Sequence, residues 1–220
     1  MRKGANRMER IQRQSLFARS VHWVHTIATL LLFYTGLALY TQSLNGLAAL
    51  FGGIQNSRLV HHYSGFIFAG VPVLMGLANW GGLTRFLKET FSWEGKDDTD
   101  SLIKFPAYLF KAGKKMPPQG RLKGGQKFAD WFILGSSLSI AVSGIMIYFG
   151  SNISKALVTW MFPLHELSMI ILGVFLLIHI YMGAGIFEPY RGMWRAMFGD
   201  GTVSRPDAEY HWSKWAKERK

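Results

Sequence analysis

The 220-residue chain contains no cysteine. That absence excludes disulfide staples, iron–sulfur clusters ligated by this chain, and cysteine zinc sites. Any metal or cofactor must be held by histidine, carboxylate, methionine or backbone. Charge is also scarce: charged residues make up 17% of the chain, against about a quarter in ordinary soluble proteins. Acids are the rarer sign, 13 Asp and Glu against 25 Lys and Arg. Hydrophobic residues nevertheless reach 49%, and the formal net charge is +12. A chain both apolar and strongly basic must segregate the two kinds of residue along its length.

It does. Four stretches, Val21–Thr41, Val60–Trp80, Phe128–Phe149 and Phe162–Ile186, are apolar and almost free of charge. At 1.5 Å per residue each is long enough to cross a hydrocarbon layer of about 30 Å. The expectation is an all-α integral membrane four-helix bundle, a single membrane domain over residues 1–220. The basic residues set its orientation. Six precede the first span (Arg2, Lys3, Arg7, Arg10, Arg13, Arg19), ten lie between Arg85 and Lys127, and seven lie between Arg191 and Lys220. The two remaining connections hold only Arg58 and Lys155. The positive-inside rule places both termini and the loop 81–127 in the cytoplasm. This distribution accounts for the net charge without nucleic acid. The first apolar run is too long for a signal-peptide h-region and is followed by no small-x-small cleavage site, so it is expected to be retained. Within the loop, Leu102–Lys111 reads as a short interfacial helix, and Pro117–Pro118 as a breaker. The tail 187–220 is aromatic-rich (Tyr190, Trp194, Phe198, Tyr210, Trp212, Trp215) and is expected to be solvated and anchored at the membrane surface by those rings.

Six of the seven histidines fall in or at the edge of the spans: His22, His25, His61, His62, His165 and His179. Ionisable groups at membrane depth are costly and mark functional sites. With the termini inside, His22 and His25 occupy the cytoplasmic turns of the first helix, while His61, His62 and His165 lie near the outer surface. His179 is 14 residues beyond His165, about 21 Å deeper along the same helix. Fourteen steps of about 100° return it to within about 40° of the same face. The histidines therefore sort into two layers, each pairing one from the fourth helix with one from the first or second. Facing imidazoles in two layers of a bundle are what two bis-imidazole haems require. Depth does not separate His22 from His25, nor His61 from His62. Without cysteine no C-x-x-C-H attachment exists, so the haem would be b-type. Gly36, Gly65, Gly144 and Gly173 would give a flat macrocycle room, or let helices pack closely. Arg19, one turn before His22, could pair a haem propionate or serve as a positive-inside anchor.

With these residues in place the chain resembles the γ subunit (cytochrome b556) family of membrane-bound formate dehydrogenases. That family sits within the four-helix di-haem cytochrome b group shared with nickel–iron hydrogenases and thiosulfate reductases. The resemblance covers nearly the whole chain. It includes R-x-x-H-W at Arg19–Trp23, R-x-x-H with a glycine four later at Arg58–Gly65, and G-Q-K at Gly125–Lys127. It continues with S-G-I at Ser143–Ile145, the His165/His179 spacing, H-x-Y-M at His179–Met182, and G-x-V-S-R at Gly201–Arg205. The resemblance implies that His22 with His179 ligate a cytoplasmic haem b and that His61 with His165 ligate an outer one. His25 and His62 become neighbours near a haem edge. It also implies a quinone site, for menaquinone or ubiquinone, beside the cytoplasmic haem at Gly125 and Gln126. Lys123 stands there where the family has asparagine.

The function implied is that of a quinone-reactive membrane anchor in the bacterial cytoplasmic (inner) membrane. Electrons would enter from an iron–sulfur partner subunit on the outer face and pass inward through both haems to quinone, with cytoplasmic protons taken up there. Such inward flow stores about 2.3 kcal/mol per charge per 100 mV. The chain holds no hydride-transfer motif, molybdenum-type site or cluster ligands, so formate oxidation would belong to a separate molybdenum or tungsten subunit. Two alternatives stand beside this reading. One is the cytochrome b subunit of a hydrogenase or thiosulfate/polysulfide reductase. The other, of a different class, is a histidine-lined transition-metal transporter, since imidazole also suits zinc and copper. The spans offer that transporter only Asp130 and Glu166 as carboxylates, and His165–Glu166 does not continue into H-E-x-x-H.

Overall fold

The computed structural model describes residues 9–110 and 116–219. Among the basic residues that set the expected orientation, Arg2, Lys3, Arg7, Lys111, Lys114, Lys115 and Lys220 lie outside the described residues, as does the end of the expected Leu102–Lys111 helix. The chain opens with strand β1 (Arg10–Gln12) and helix α1 (Leu16–Tyr40), and a 3-10 segment, Gln42–Phe51, leads to α2 (Ile54–Ala78). Helices α3 (Trp80–Phe91) and α4 (Lys96–Phe110) occupy the long loop and are followed by α5 (Gly124–Tyr148) and α6 (Lys155–Ala184). The tail contains α7 (Arg195–Phe198), β2 (Thr202–Ser204), α8 (Arg205–His211) and α9 (Ser213–Lys217).

Among the described residues, helices α1, α2, α5 and α6 are the four that are long and apolar enough to cross a membrane. Each begins four to seven residues before its apolar run, because backbone hydrogen bonding carries the helix through polar residues such as Gln126 and Lys127 at its entrance. The described chain forms two compact units. One comprises residues 20–83 and 132–174, and the other residues up to 19, 84–131 and from 175 onward.

The first of these contains most of α1 and α2 with the adjoining lengths of α5 and α6. Its buried centre is small: Ala28, Phe68 and Leu172, with Leu32, Phe33, Ile133, Ile140 and Ala141 packed against them. Leu30, Leu74, Leu138 and Leu167 are all more than half exposed. In water that surface would aggregate, whereas in lipid, itself apolar, it incurs no such cost.

The other unit is built differently, and it corrects the expectation of a solvated tail. Ile11, Tyr190, Met193, Val203, Ala208, Trp212, Trp215 and Ala216 form a continuous buried core. Phe187, Trp194 and Phe198 stay exposed among the tail's large rings, as interfacial anchors would. β1 pairs antiparallel with β2 in the register Ile11↔Val203, a small sheet in an otherwise helical chain. Gly201, at φ +83°, turns the chain into β2, and its carbonyl accepts from the backbone N–H of Arg13 (2.8 Å) and Gln14 (2.9 Å). A Cβ there would stand 2.3 Å from the Gln14 carbonyl oxygen, so only glycine fits. Arg205 closes the sheet's end with two bonds to the Glu9 carboxylate, each 2.7 Å. The pairing puts Arg10–Gln12 and Thr202–Ser204 on one side of the bilayer.

Candidate functional site

His61 on α2 and His165 on α6 face each other with ring centroids 6.3 Å apart and planes at 62°. Whether that spacing suits a shared metal follows from bond lengths. An imidazole nitrogen lies about 1.1 Å from its ring centre when ring bonds are about 1.35 Å. A first-row metal sits about 2.0–2.1 Å from the nitrogen. Two imidazoles on opposite sides of one iron therefore have centroids about 6.2–6.4 Å apart. The observed separation falls inside that window. His61 Nδ1 is 2.9 Å from Thr35 Oγ1, and His165 Nδ1 is 3.0 Å from Ser143 Oγ. With Nδ1 occupied in both rings, Nε2 is the nitrogen left for a metal. The donor set and its spacing fit a bis-imidazole haem.

Glycine eases the approach of the His165 ring, and the His61 ring passes Gly36 at ordinary contact distance. A Cβ on Gly36 would lie 3.5 Å from His61 Cε1, and one on Gly144 only 3.1 Å from His165 Cε1. The other two glycines face hydrophobic neighbours instead: Gly65 meets Leu32 at 3.9 Å and Gly173 meets Phe33 at 3.2 Å. Gly36 and Gly144 thus face imidazole rings, and Gly65 and Gly173 face hydrophobic side chains. His62 stacks edge-on against Tyr148 with centroids 4.8 Å apart. His25 lies flat on Phe68 at 4.6 Å, its Nδ1 without a hydrogen-bond partner.

The remaining candidates are more dispersed. His22 belongs to the unit that holds His61 and His165, and its Nδ1 lies 3.3 Å from Thr26 Oγ1. His179 belongs to the other unit, together with Arg19, Lys123, Gly125 and Gln126. Arg19 donates through Nη1 to the Gly199 carbonyl, while its Nε is buried without a partner.

The head of α5 is clamped in place. The N–H of Gly124 donates to Gln119 Oε1 (2.8 Å), and Gln119 Nε2 donates to the Asp97 carbonyl (3.0 Å). A Cβ on Gly124 would meet the Asp98 carbonyl oxygen at 2.1 Å, and one on Gly125 would lie 3.4 Å from the Phe105 ring. Buried Lys127 donates to Asp98 Oδ2 and to the Ser92 carbonyl, both at 2.8 Å. Gly125 and Gln126 remain partly exposed.

Lys123 turns the other way. Its ammonium donates to His211 Nδ1 (3.4 Å) and lies 4.6 Å from the Tyr190 ring centre and 5.5 Å from that of Trp212. Arg13 covers the same Trp212 at 4.0 Å and Trp215 at 4.7 Å. Burial, then the nearby Arg13 charge, lowers the Lys123 pKa to about 7. Burial first, and Lys123 second, holds His211 down at about 3. His211 Nε2 donates to the Pro189 carbonyl at 2.9 Å. These cations add to the carboxylate contacts that bind the tail to the rest of its unit, where Lys214 pairs with Glu94 (2.7 Å) and Asp97 (2.9 Å). His211, the histidine outside the spans, and Arg13 were not legible as partners because residues 13, 123 and 211 are remote in sequence.

Among the described residues no three His, Asp or Glu side chains converge as a metal site, so the candidate centres are two-histidine ones. Residues 13–200 match the family described as prokaryotic cytochrome b561. The nitrate-inducible formate dehydrogenase cytochrome b556 subunit of Escherichia coli K12 is 26% identical over 94% of this chain and 91% of its own length. A second Escherichia coli K12 protein, a formate dehydrogenase cytochrome b556 subunit, is 23% identical over 96% and 94%. The formate dehydrogenase cytochrome b556 subunit of Haemophilus influenzae is 24% identical over 95% and 83%. The chain belongs to the prokaryotic cytochrome b561 family, multi-pass proteins of the bacterial inner membrane.

Proposed function

From membership of the prokaryotic cytochrome b561 family, we propose that this chain is the di-haem b, quinone-reactive membrane subunit of a formate dehydrogenase complex. The observation that carries the reading is the His61–His165 pair, 6.3 Å apart with both Nδ1 atoms engaged. The names of the relatives favour formate over hydrogen or thiosulfate as the source of electrons. In this reading His61 and His165 hold the outer haem, and His22 and His179 hold one near the cytoplasm. The chemistry the haems supply is one-electron relay between an iron–sulfur partner subunit and quinone.

The chain's own residues have four tasks. The two histidines of each pair approach from different helices, so iron binding also ties those helices together. Thr35 and Ser143 engage the Nδ1 atoms of the outer pair. The apolar walls around them keep water out, which favours charge moving as electrons over ions. At the head of α5, Gly125 and Gln126 offer a partly open backbone and an amide to a quinone carbonyl. The Gln119, Asp98 and Lys127 clamp holds that turn rigid. Lys123 commits its ammonium to the tail cluster and acts by fixing the loop before α5. Formate oxidation belongs to a separate molybdenum or tungsten catalytic subunit.

The test is a spectrum of the detergent-purified chain, air-oxidised and then dithionite-reduced, with haem counted per polypeptide. Two low-spin b haems are expected. H61A and H165A should each lose the same haem, and H22A and H179A the other. A colourless protein carrying zinc or copper would overturn the reading in favour of transport. Co-purification with a nickel subunit, not a molybdenum or tungsten one, would reassign the electron donor.

A further inference from the structure

Thr35 and Ser143 occupy matching places. Each lies one residue before the glycine that faces a histidine ring, Gly36 for His61 and Gly144 for His165. Each comes from a helix that does not carry the histidine it contacts: α1 serves α2, and α5 serves α6. Each hydroxyl also sits 2.6 Å from the carbonyl oxygen four residues earlier, Leu31 for Thr35 and Ser139 for Ser143. A hydroxyl has one proton. Two oxygens 2.6 Å apart must share it, because without it they would repel, so the proton points to the carbonyl. The hydroxyl oxygen can then only accept from the imidazole. Both rings are thereby held as the Nδ1–H tautomer, with the lone pair on Nε2.

We infer that Thr35 and Ser143 are positioning residues for the outer haem, each fixing the tautomer and ring plane of one axial histidine. The inference rests on the haem reading above and adds who sets the ligands' geometry. An Nδ1–H that donates to an oxygen already polarised by its own carbonyl bond makes the imidazole a stronger donor to iron. That favours the ferric state and lowers the midpoint potential. The two hydroxyls also hold the ring planes at 62°, an angle to which the ferric low-spin electron paramagnetic resonance signal is sensitive.

The experiment uses the complete complex with T35V, S143A and T35S, together with H61A and H165A. Readouts are haem per chain, potentiometric titration of the two haems and the ferric resonance spectrum. T35V and S143A should each weaken retention of one haem by about 10–100-fold, shift that haem's potential positive and alter its resonance, leaving the other haem unmoved. T35S, which keeps the hydroxyl, should match the unsubstituted protein. If S143A, which removes one oxygen atom, keeps both potentials and both signals unchanged, the inference is overturned even where T35V fails to accumulate. If H61A and H165A retain both haems, the haem assignment itself fails, and the two failures are told apart.

Discussion

Substituting Gly144 by alanine tests the packing of the histidine pair at a single atom. The new Cβ would stand 3.1 Å from His165 Cε1, whereas carbon atoms settle at about 3.5–4.0 Å. The ring must retreat by about 0.4–0.9 Å, or α5 and α6 must part by as much. Retreat stretches the 3.0 Å contact between Nδ1 and Ser143 beyond hydrogen-bond range. Overpacking costs about 1–3 kcal/mol and the lost bond about 0.5–1.5 kcal/mol. A combined loss near 2–3 kcal/mol corresponds to about 30- to 150-fold weaker ligand retention. Gly36 is the internal control, since its added Cβ would lie at an ordinary 3.5 Å from His61 Cε1. Alanine there should be tolerated, and helix propensity even favours it by up to about 1 kcal/mol. The assay is haem per polypeptide after purification, followed by thermal loss of the Soret band. G144A is expected to lose most of one haem and G36A to keep both. A G144A protein with full haem content and an unshifted spectrum would refute the claim that His165 is held tightly against α5.

Other consequences concern the unit that holds the tail. His211 titrates near 6.5 when unfolded and near 3 when docked, so docking is strongest above 6.5 and weakens as pH falls towards 3. At pH 5 the loss is about 2 kcal/mol, to be seen as lower hydrogen-exchange protection factors, corrected for the intrinsic rate at each pH, across Arg205–Lys217; H211Q should flatten that dependence. Lys123 also has a lowered pKa, about 7, so its contribution improves as pH rises from 7 towards its unfolded value, and K123M should abolish that rise. D98N removes the 2.8 Å partner of the buried Lys127 ammonium and leaves it Glu94 at 3.6 Å, so the cost in a thermal melt of the purified protein should fall below the roughly 3–5 kcal/mol of a fully unpaired buried charge. W212A removes the ring that faces Arg13 and Lys123 and should make the tail more sensitive to trypsin at pH 7 than that of the unsubstituted protein.

The four spanning helices were legible because uninterrupted apolar runs of such length are rare outside a bilayer. Their true starts were not, since hydropathy reports the lipid-facing stretch and the backbone ladder runs past it to Leu16, Ile54, Gly124 and Lys155. Depth puts His165 in one layer with His61 or His62 without choosing between them; the choice of His61 comes from the family resemblance, through the glycine four residues later. Thr35 was not legible as a site residue, and Ser143 only as part of the S-G-I motif, because a hydroxyl residue in an apolar helix satisfies itself on its own backbone. The signal that could have found them is the hydroxyl-then-glycine pair at Thr35–Gly36 and Ser143–Gly144. The folded tail was illegible for a different reason. Its core is assembled from residues at 11, 190, 203 and 212, and aromatic-rich, basic composition reads equally well as a surface anchor.

The β1–β2 pairing also sets a timetable for biogenesis. Its two strands are separated by 192 positions, as between Arg10 and Thr202. At about 5–20 residues per second, a ribosome needs roughly 10–40 s to travel from one to the other. Throughout that interval all four hydrophobic helices are delivered to the bilayer while Arg10–Gln12 waits as an unclaimed strand edge. Closure comes only when Thr202–Ser204 and the residues carrying Trp212 and Trp215 have emerged. A chain halted a few codons short therefore inserts normally yet keeps an open edge, which gives proteases and chaperones a means of separating finished molecules from aborted ones.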